Sequence, residues 1–353
     1  MLKICIVTFD WGKNDAIEKF RNFKKKKSLS WAVVEITNFC NFNCVWCYAK
    51  SSPNGQHMSI ERAKKLIHIL ANTGLKQITF SGGEPLLYPH LKEVIKFAKN
   101  RGLIVHINTN GYLLTKKLTK ELKELGLTQV QINIDSLNPE MHDRIRGKSG
   151  SFKRAVQALK NAQDVGLMCV SQTVLTKANE DEIIDIFKFA RSIGIQRCRV
   201  WDMTPEGHAK EKIDMRPTDF IGTLKKIYEF ALETGAKNIE SYDPLFLPEQ
   251  RKNLTVSGTH CAAITGMFFT ISSEGDVYPC AVERKPLYNI FEIKDNGNEL
   301  DKFHKSKLKK YIQSFKNASI CKKCKSFKKC EGGCLARRDV SSNKDYWCQH
   351  PII

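Results

Sequence analysis

Between Trp31 and about Gly235 the chain alternates short apolar runs with amphipathic ones, and few folds accept that rhythm. The strand candidates are WAVVEIT (31–37), QITF (77–80), LIVHIN (103–108), QVQINID (129–135), MCVSQTVL (168–175) and QRCRVW (196–201). Helical periodicity falls near 59–73, 89–101, 116–125, 152–165, 180–193 and 217–234. Six β/α units with apolar strands predict a parallel sheet covered by helices. Such a sheet is an open doubly wound layer or a full or partial (β/α) barrel. No GxGxxG follows the first strand and no GxxxxGK[ST] occurs, so nucleotide folds of those kinds lose support. Chemistry in parallel α/β folds sits at the C-terminal ends of the strands.

At that end of the first strand stands Cys40-Asn-Phe-Asn-Cys44-Val-Trp-Cys47, a C-x3-C-x2-C spacing. A secreted chain would use thiols for disulfides, but the N-terminus lacks the long apolar stretch and small-residue cleavage site of a signal peptide. No apolar run approaches the roughly 18 residues of a spanning helix. A cytoplasmic protein is expected, in which 13 cysteines favour metal ligation. Three thiols are one short of a structural zinc site. A [4Fe–4S] cluster has four irons, and three thiolates leave one iron open.

After the second strand comes Ser81-Gly82-Gly83-Glu84-Pro85. Its glycines allow close approach of a ligand to the backbone, and Glu84 offers an acceptor to a cationic amino group. Paired with the cysteine spacing, this loop resembles the radical S-adenosylmethionine (radical SAM) superfamily over roughly 31–240. The resemblance implies a partial (β/α)6 TIM-like barrel in which Cys40, Cys44 and Cys47 ligate three irons of a [4Fe–4S] cluster. SAM then chelates the fourth iron, and an electron from the reduced cluster releases a 5′-deoxyadenosyl radical that abstracts a substrate hydrogen. It further implies SAM contacts at Gly82, Gly83, Glu84 and Pro85, with Trp46 by the adenine. Thr109 and Ser136, in the loops ending strands three and four, are candidates, as is Gln172 on strand five. The run His142-Asp143-Arg144-Ile145-Arg146-Gly147 resembles a segment of peptide-modifying members, or is a solvated helix start. No catalytic acid or base is assigned.

Beyond about Leu245 helical periodicity fades, and MFFTIS-SEG-DVYPC (267–280) reads as a hairpin with a Gly-containing turn. The cysteines run Cys261, Cys280, then Cys321-x2-Cys324-x5-Cys330-x3-Cys334, then Cys348. These spacings resemble the SPASM domain of radical SAM maturases. By that resemblance Cys321, Cys324, Cys330 and Cys348 hold one auxiliary [4Fe–4S] cluster, and Cys261, Cys280 and Cys334 serve another. Two thiolate-held clusters need eight ligands and the domain offers seven, so an open iron or a ligand such as His260 makes up the difference. The expected division is an N-terminal extension (1–30), the barrel (31–250) and a small cysteine-rich SPASM domain (251–353). Cys5, Cys169 and Cys198 fall in strand patterns and read as buried hydrophobes.

The formal net charge is +20, from 57 Lys+Arg against 37 Asp+Glu. Without an aromatic-interleaved stripe this reads as a solvated surface, and nucleic acid is disfavoured as a partner. The expected function is radical modification of a ribosomally made peptide or protein. The alternative is a small anionic substrate, as for a tetrapyrrole propionate decarboxylase of alternative haem synthesis. An electron donor such as ferredoxin or flavodoxin is implied, and no membrane. In sulfatase-maturing relatives an aspartate follows the cysteine matching Cys280; Ala281 stands here, which argues against formylglycine formation.

Overall fold

The computed structural model describes residues 29–236, 239–241, 243, 261, 263–264, 266–293, 299–318, 324, 333–338 and 345–348. The barrel strands are β1 (Trp31–Thr37), β2 (Gln77–Gly82), β3 (Ile104–Thr109), β4 (Leu127–Asn133), β5 (Met168–Leu175), β6 (Arg197–Asp202) and the short β7 (Ile239–Glu240). The helices between them are α1 (Ile60–Asn72), α2 (Leu91–Asn100), α3 (Lys116–Glu124), α4 (Pro139–Arg146), α5 (Ser151–Asp164), α6 (Ile183–Ser192) and α7 (Phe220–Thr234). Neighbouring strands from β1 to β7 pair in parallel and in sequence order. The periodicity predicts such a parallel α/β sheet, and its partial-barrel form is the one the family resemblance implies.

Local chemistry explains the boundaries. Ser59, Thr115, Asn138 and Asp219 each accept a main-chain N–H of the first turn of α1, α3, α4 and α7. Helix α4 escapes the sequence reading because PEMHDRIR is short and carries little apolar periodicity. Pro139 at its start and Asn138 as cap nevertheless define it.

The strands are not apolar throughout; they alternate. Ala32, Val34 and Ile36 of β1, Ile78 and Phe80 of β2, Val105 and Ile107 of β3, and Val130 and Ile132 of β4 belong to one core with the helices. In α1 that core takes Leu66, Ile67 and Leu70, each contributing about 1.5–3 kcal/mol by burial. The intervening positions turn inward: Glu35 and Thr37, Thr79 and Ser81, His106 and Asn108, Gln131 and Asn133, Gln172, and Arg199. A barrel interior so lined is a place for polar ligands rather than a sealed core.

The C-terminal hairpin joins the same sheet. Strand β8 (Phe268–Ile271) pairs in parallel with β1, from Trp31↔Phe268 to Val34↔Ile271. Strands β9 (Asp276–Tyr278) and β10 (Tyr288–Asn289) continue it antiparallel, giving ten strands among the described residues. The expected fading of helical structure after 245 is corrected by α8 (Leu300–Ala318). Its buried stripe is one residue per turn, Leu300, His304, Leu308 and Tyr311, amid lysines. The expected boundary at 250/251 lies outside the described residues, as do Cys5, His260, Cys321 and Cys330. Cys169 and Cys198 are fully buried in the core.

Candidate functional site: a three-thiol cleft at the mouth of the barrel

The loop after β1 is tied down from three sides. Asn38 N donates to Gln56 O at 3.0 Å and Cys40 N to Ser52 O at 3.0 Å, closing the loop on itself. Val45 N donates to Ile145 O at 3.0 Å, at the end of α4, and His208 N to Cys47 O at 2.8 Å, from beyond β6. Cys40, Cys44 and Cys47 therefore sit on a fixed frame facing a common cleft. Burial pushes the Cys40 thiol up to about 11 and the Cys44 thiol up to about 12; the Arg146 guanidinium opposes both shifts. Such thiols ionise only when a cation or metal supplies compensating charge.

The glycine loop lies edge-on to the cysteine loop. Gly83 N donates to Thr37 O at 2.7 Å and Glu84 N to Phe39 O at 2.9 Å. At Gly82, with φ of 120°, a Cβ would strike the Thr37 carbonyl; at Gly83 it would strike that of Phe39. Glu84 is wholly buried and does not line the cleft. Its Oε1 accepts from Thr109 Oγ1 at 2.6 Å and Leu86 N at 2.9 Å, and its Oε2 from Asn110 N at 2.7 Å. Burial raises the Glu84 pKa while these three donors oppose the shift. Glu84 thus pins the loop after β2 to the end of β3, and Pro85 opens the turn beside it.

The remaining candidates divide. Trp46, Gly82, Gly83, Thr109 and Gln172 line the cleft. Ser136 does not: its hydroxyl donates to the Glu182 carboxylate at 2.9 and 3.1 Å. Asn108, Gln131, Asn133, Tyr48 and Arg146 also line it, and they were missed. The signal for Asn108, Gln131 and Asn133 is the period-two polar position on β3 and β4; Tyr48, beside Cys47, and Arg146, in α4, carry no such signal.

The run from His142 to Gly147 is not a solvated helix start. His142 is buried, and its Nδ1 accepts from Asp135 N at 3.1 Å. Desolvation, aided by Arg146, pushes it down to about 3, so the ring is neutral. Arg146 is 5 % exposed, lies 4.7 Å from the Trp46 ring centroid and 5.5 Å from that of Phe42, and reaches Asp135 Oδ2 at 3.4 Å. It braces the cysteine loop against β4.

Among the described C-terminal thiols, Cys261 hinders ionisation of Cys280, and Cys261 and Cys280 both hinder that of Cys334. Desolvation, the larger effect, pushes Cys280 up to about 12. Cys280 Sγ accepts from Glu283 N at 3.3 Å. Among the described residues no three His, Cys, Asp or Glu side chains converge on one metal-ion position. A cubane instead takes one thiolate at each of its corners, and sets of soft sulfur donors suit it.

The radical SAM superfamily model matches residues 34–190, and the SPASM model, an iron-sulfur cluster-binding domain, matches 261–325. The chain is a radical SAM enzyme with a SPASM domain. Its cofactors are [4Fe–4S] clusters and SAM. It is similar to the AdoMet-dependent heme synthase of Methanosarcina barkeri, 28% identical over 336 residues, covering 90% of this chain and 94% of that protein. Mycofactocin maturase MftC of Mycolicibacterium smegmatis is 26% identical over 326 residues, covering 91% of this chain and 81% of that protein. Streptococcus suis SuiB bound to its precursor peptide SuiA shares the radical SAM fold with a TM-score of 0.68 at 20% identity, over 96% of this chain and 82% of SuiB. No described helix of this radical SAM protein is long and apolar enough to cross a membrane.

Proposed function

We propose that this enzyme uses a SAM-derived radical to modify a ribosomally made peptide or protein. The cluster and SAM, when bound, supply a 5′-deoxyadenosyl radical for hydrogen abstraction. Cys40, Cys44 and Cys47 would hold that cluster. Main-chain groups of Gly82 and Gly83, the Thr109 hydroxyl, the Gln172 amide and the Trp46 ring would hold SAM. Ser136 and Glu84 act on the surrounding loops instead.

One observation carries the choice of substrate. Three arginines turned into the barrel or its mouth are each matched by a carboxylate. Arg146 faces Asp135, Arg199 pairs with Glu240 at 2.7 Å, and Arg284 pairs with Glu35 at 2.9 Å. What the cleft presents are neutral amides: Asn108, Gln131, Asn133 and Gln172. Amide groups suit a peptide backbone, whereas a substrate with four carboxylates calls for unmatched cations. MftC, by name a maturase, supports the same reading.

A tetrapyrrole substrate is the second reading, favoured by the heme synthase relative, of which this chain covers 94%. The auxiliary sites would be Cys321, Cys324, Cys330 and Cys348 for one cluster and Cys261, Cys280 and Cys334 for the other, supplied with electrons by ferredoxin or flavodoxin in the cytoplasm. Anaerobic incubation with candidate precursor peptides, and separately with an iron-bound tetracarboxylate porphyrin, decides between them. A peptide mass change coupled to 5′-deoxyadenosine release supports the proposal. Loss of CO2 from the porphyrin, with no peptide turned over, overturns it.

A further inference from the structure

The largest fully buried side chain of the described residues is an arginine, Arg337, 1% exposed. It follows Cys334 by three positions, and its main-chain N–H donates to Cys334 O at 3.3 Å. Its Nη1 lies 2.6 Å from Asp243 Oδ2 and 3.3 Å from Asp202 Oδ2; its Nη2 lies 2.9 Å from Asp345 Oδ2. Asp202 is the last residue of β6, and Asp243 lies just past β7, so both belong to the barrel rim. Asp345 belongs to the segment leading to Cys348.

The network runs on to the cysteines. Asp345 Oδ2 also accepts from Cys334 N at 2.7 Å, and its carbonyl accepts from Cys348 N at 3.0 Å. Asp202 Oδ2 accepts from Tyr346 Oη at 2.9 Å and Trp347 Nε1 at 2.8 Å. One guanidinium therefore ties two cysteine-bearing segments to the ends of two barrel strands. The arrangement is strongly charged as well: one cation among three carboxylates, out of water, beside Cys334.

We propose that Arg337 and Asp202 are positioning residues that lock the Cys261/Cys280/Cys334 cluster onto the barrel rim and set its reduction potential. This rests on the reading of those cysteines as an auxiliary cluster. Cluster potentials follow nearby charge, hydrogen bonding to sulfur, and burial. A reduced cluster carries one more negative charge, so a nearby cation favours reduction and a nearby carboxylate opposes it. Arg337 and Asp202 should then act with opposite signs, whereas a purely mechanical joint has no sign.

The test is an EPR-monitored redox titration of the reconstituted holoenzyme at pH 8, with iron and zinc counted on each sample. Arg337→Met should lower the auxiliary potential and Asp202→Asn should raise it, since asparagine keeps an acceptor for Tyr346 and Trp347 while losing the charge. Arg337→Lys should return the potential toward that of the parent. The SAM-responsive signal of the first cluster should not move in any of them. If Arg337→Met fails to fold, Asp202→Asn alone decides. An unmoved auxiliary potential in Asp202→Asn, or shifts of the same sign in both variants, overturns the proposal. Tightly bound zinc with about four irons per chain in the parent protein refutes instead the cluster assignment beneath it.

Discussion

Arg284 and Glu35 meet as a bidentate pair, Nη1 to Oε1 and Nη2 to Oε2, each at 2.9 Å. Arg284 comes four residues after Cys280, and Glu35 lies in the strand that launches the first cysteine loop. The guanidinium also faces the ring of Tyr278 at 4.2 Å and that of Tyr48 at 5.7 Å, the residue after Cys47. The two cysteine sites thus share one partly buried electrostatic joint. Glu35→Gln leaves Arg284 without its counter-charge. Because Arg284 is 21% exposed, the expected loss is near the low end of about 3–5 kcal/mol. Adding Arg284→Met to that variant should recover part of the loss in denaturant melts. Additive losses would show that the two side chains do not act as a pair.

Glu84 gives a second expectation. Glutamine in its place presents an N–H2 where Glu84 now accepts from Asn110 N or from Leu86 N. Leaving one buried donor unsatisfied costs about 1–3 kcal/mol. The loss should appear in thermal melts without SAM, with weaker SAM binding following from the loosened loop. A variant that melts like the parent without SAM, yet binds SAM more weakly, would make Glu84 a ligand contact and not a brace.

Much of this arrangement was legible in the sequence, for a physical reason. Ladder hydrogen bonds and helix burial enforce periods of two and 3.6, and strands such as WAVVEIT and MCVSQTVL match their observed bounds. Thiols that share a cluster must lie close along the chain or on adjacent elements, so their spacing shows. What escaped was whatever depends on contacts between distant segments. Nothing local to Glu84 reveals its donors Thr109 and Asn110, which lie at the end of β3. Arg146 looked solvated because its partners Asp135 and Trp46 lie on other elements. Nothing local to Ser136 reveals that its hydroxyl donates to Glu182, 46 residues away.

His142 makes stability depend on pH. Held neutral down to about 3 when folded, it takes up a proton near 6.5 when unfolded. Its contribution is present above pH 6.5 and is lost as pH falls toward 3, at up to about 1.4 kcal/mol per pH unit. His142→Gln keeps an acceptor for Asp135 N and removes that proton uptake. Melting temperature should therefore fall less steeply between pH 6.5 and 5 than in the parent. The carboxyls of Glu84 and Asp135, raised mainly by burial, shift stability in the opposite sense in both proteins and cancel in the comparison. Equal slopes would show that His142 is not held neutral.

Cys40, Cys44 and Cys47 are proposed to form the site where SAM is cleaved. Reconstituted and chemically reduced protein, kept anaerobic, should release 5′-deoxyadenosine and methionine. With all three cysteines replaced by alanine, release should fall to background while the auxiliary iron–sulfur signals persist. Release from the triple variant at the parent's rate would contradict the account.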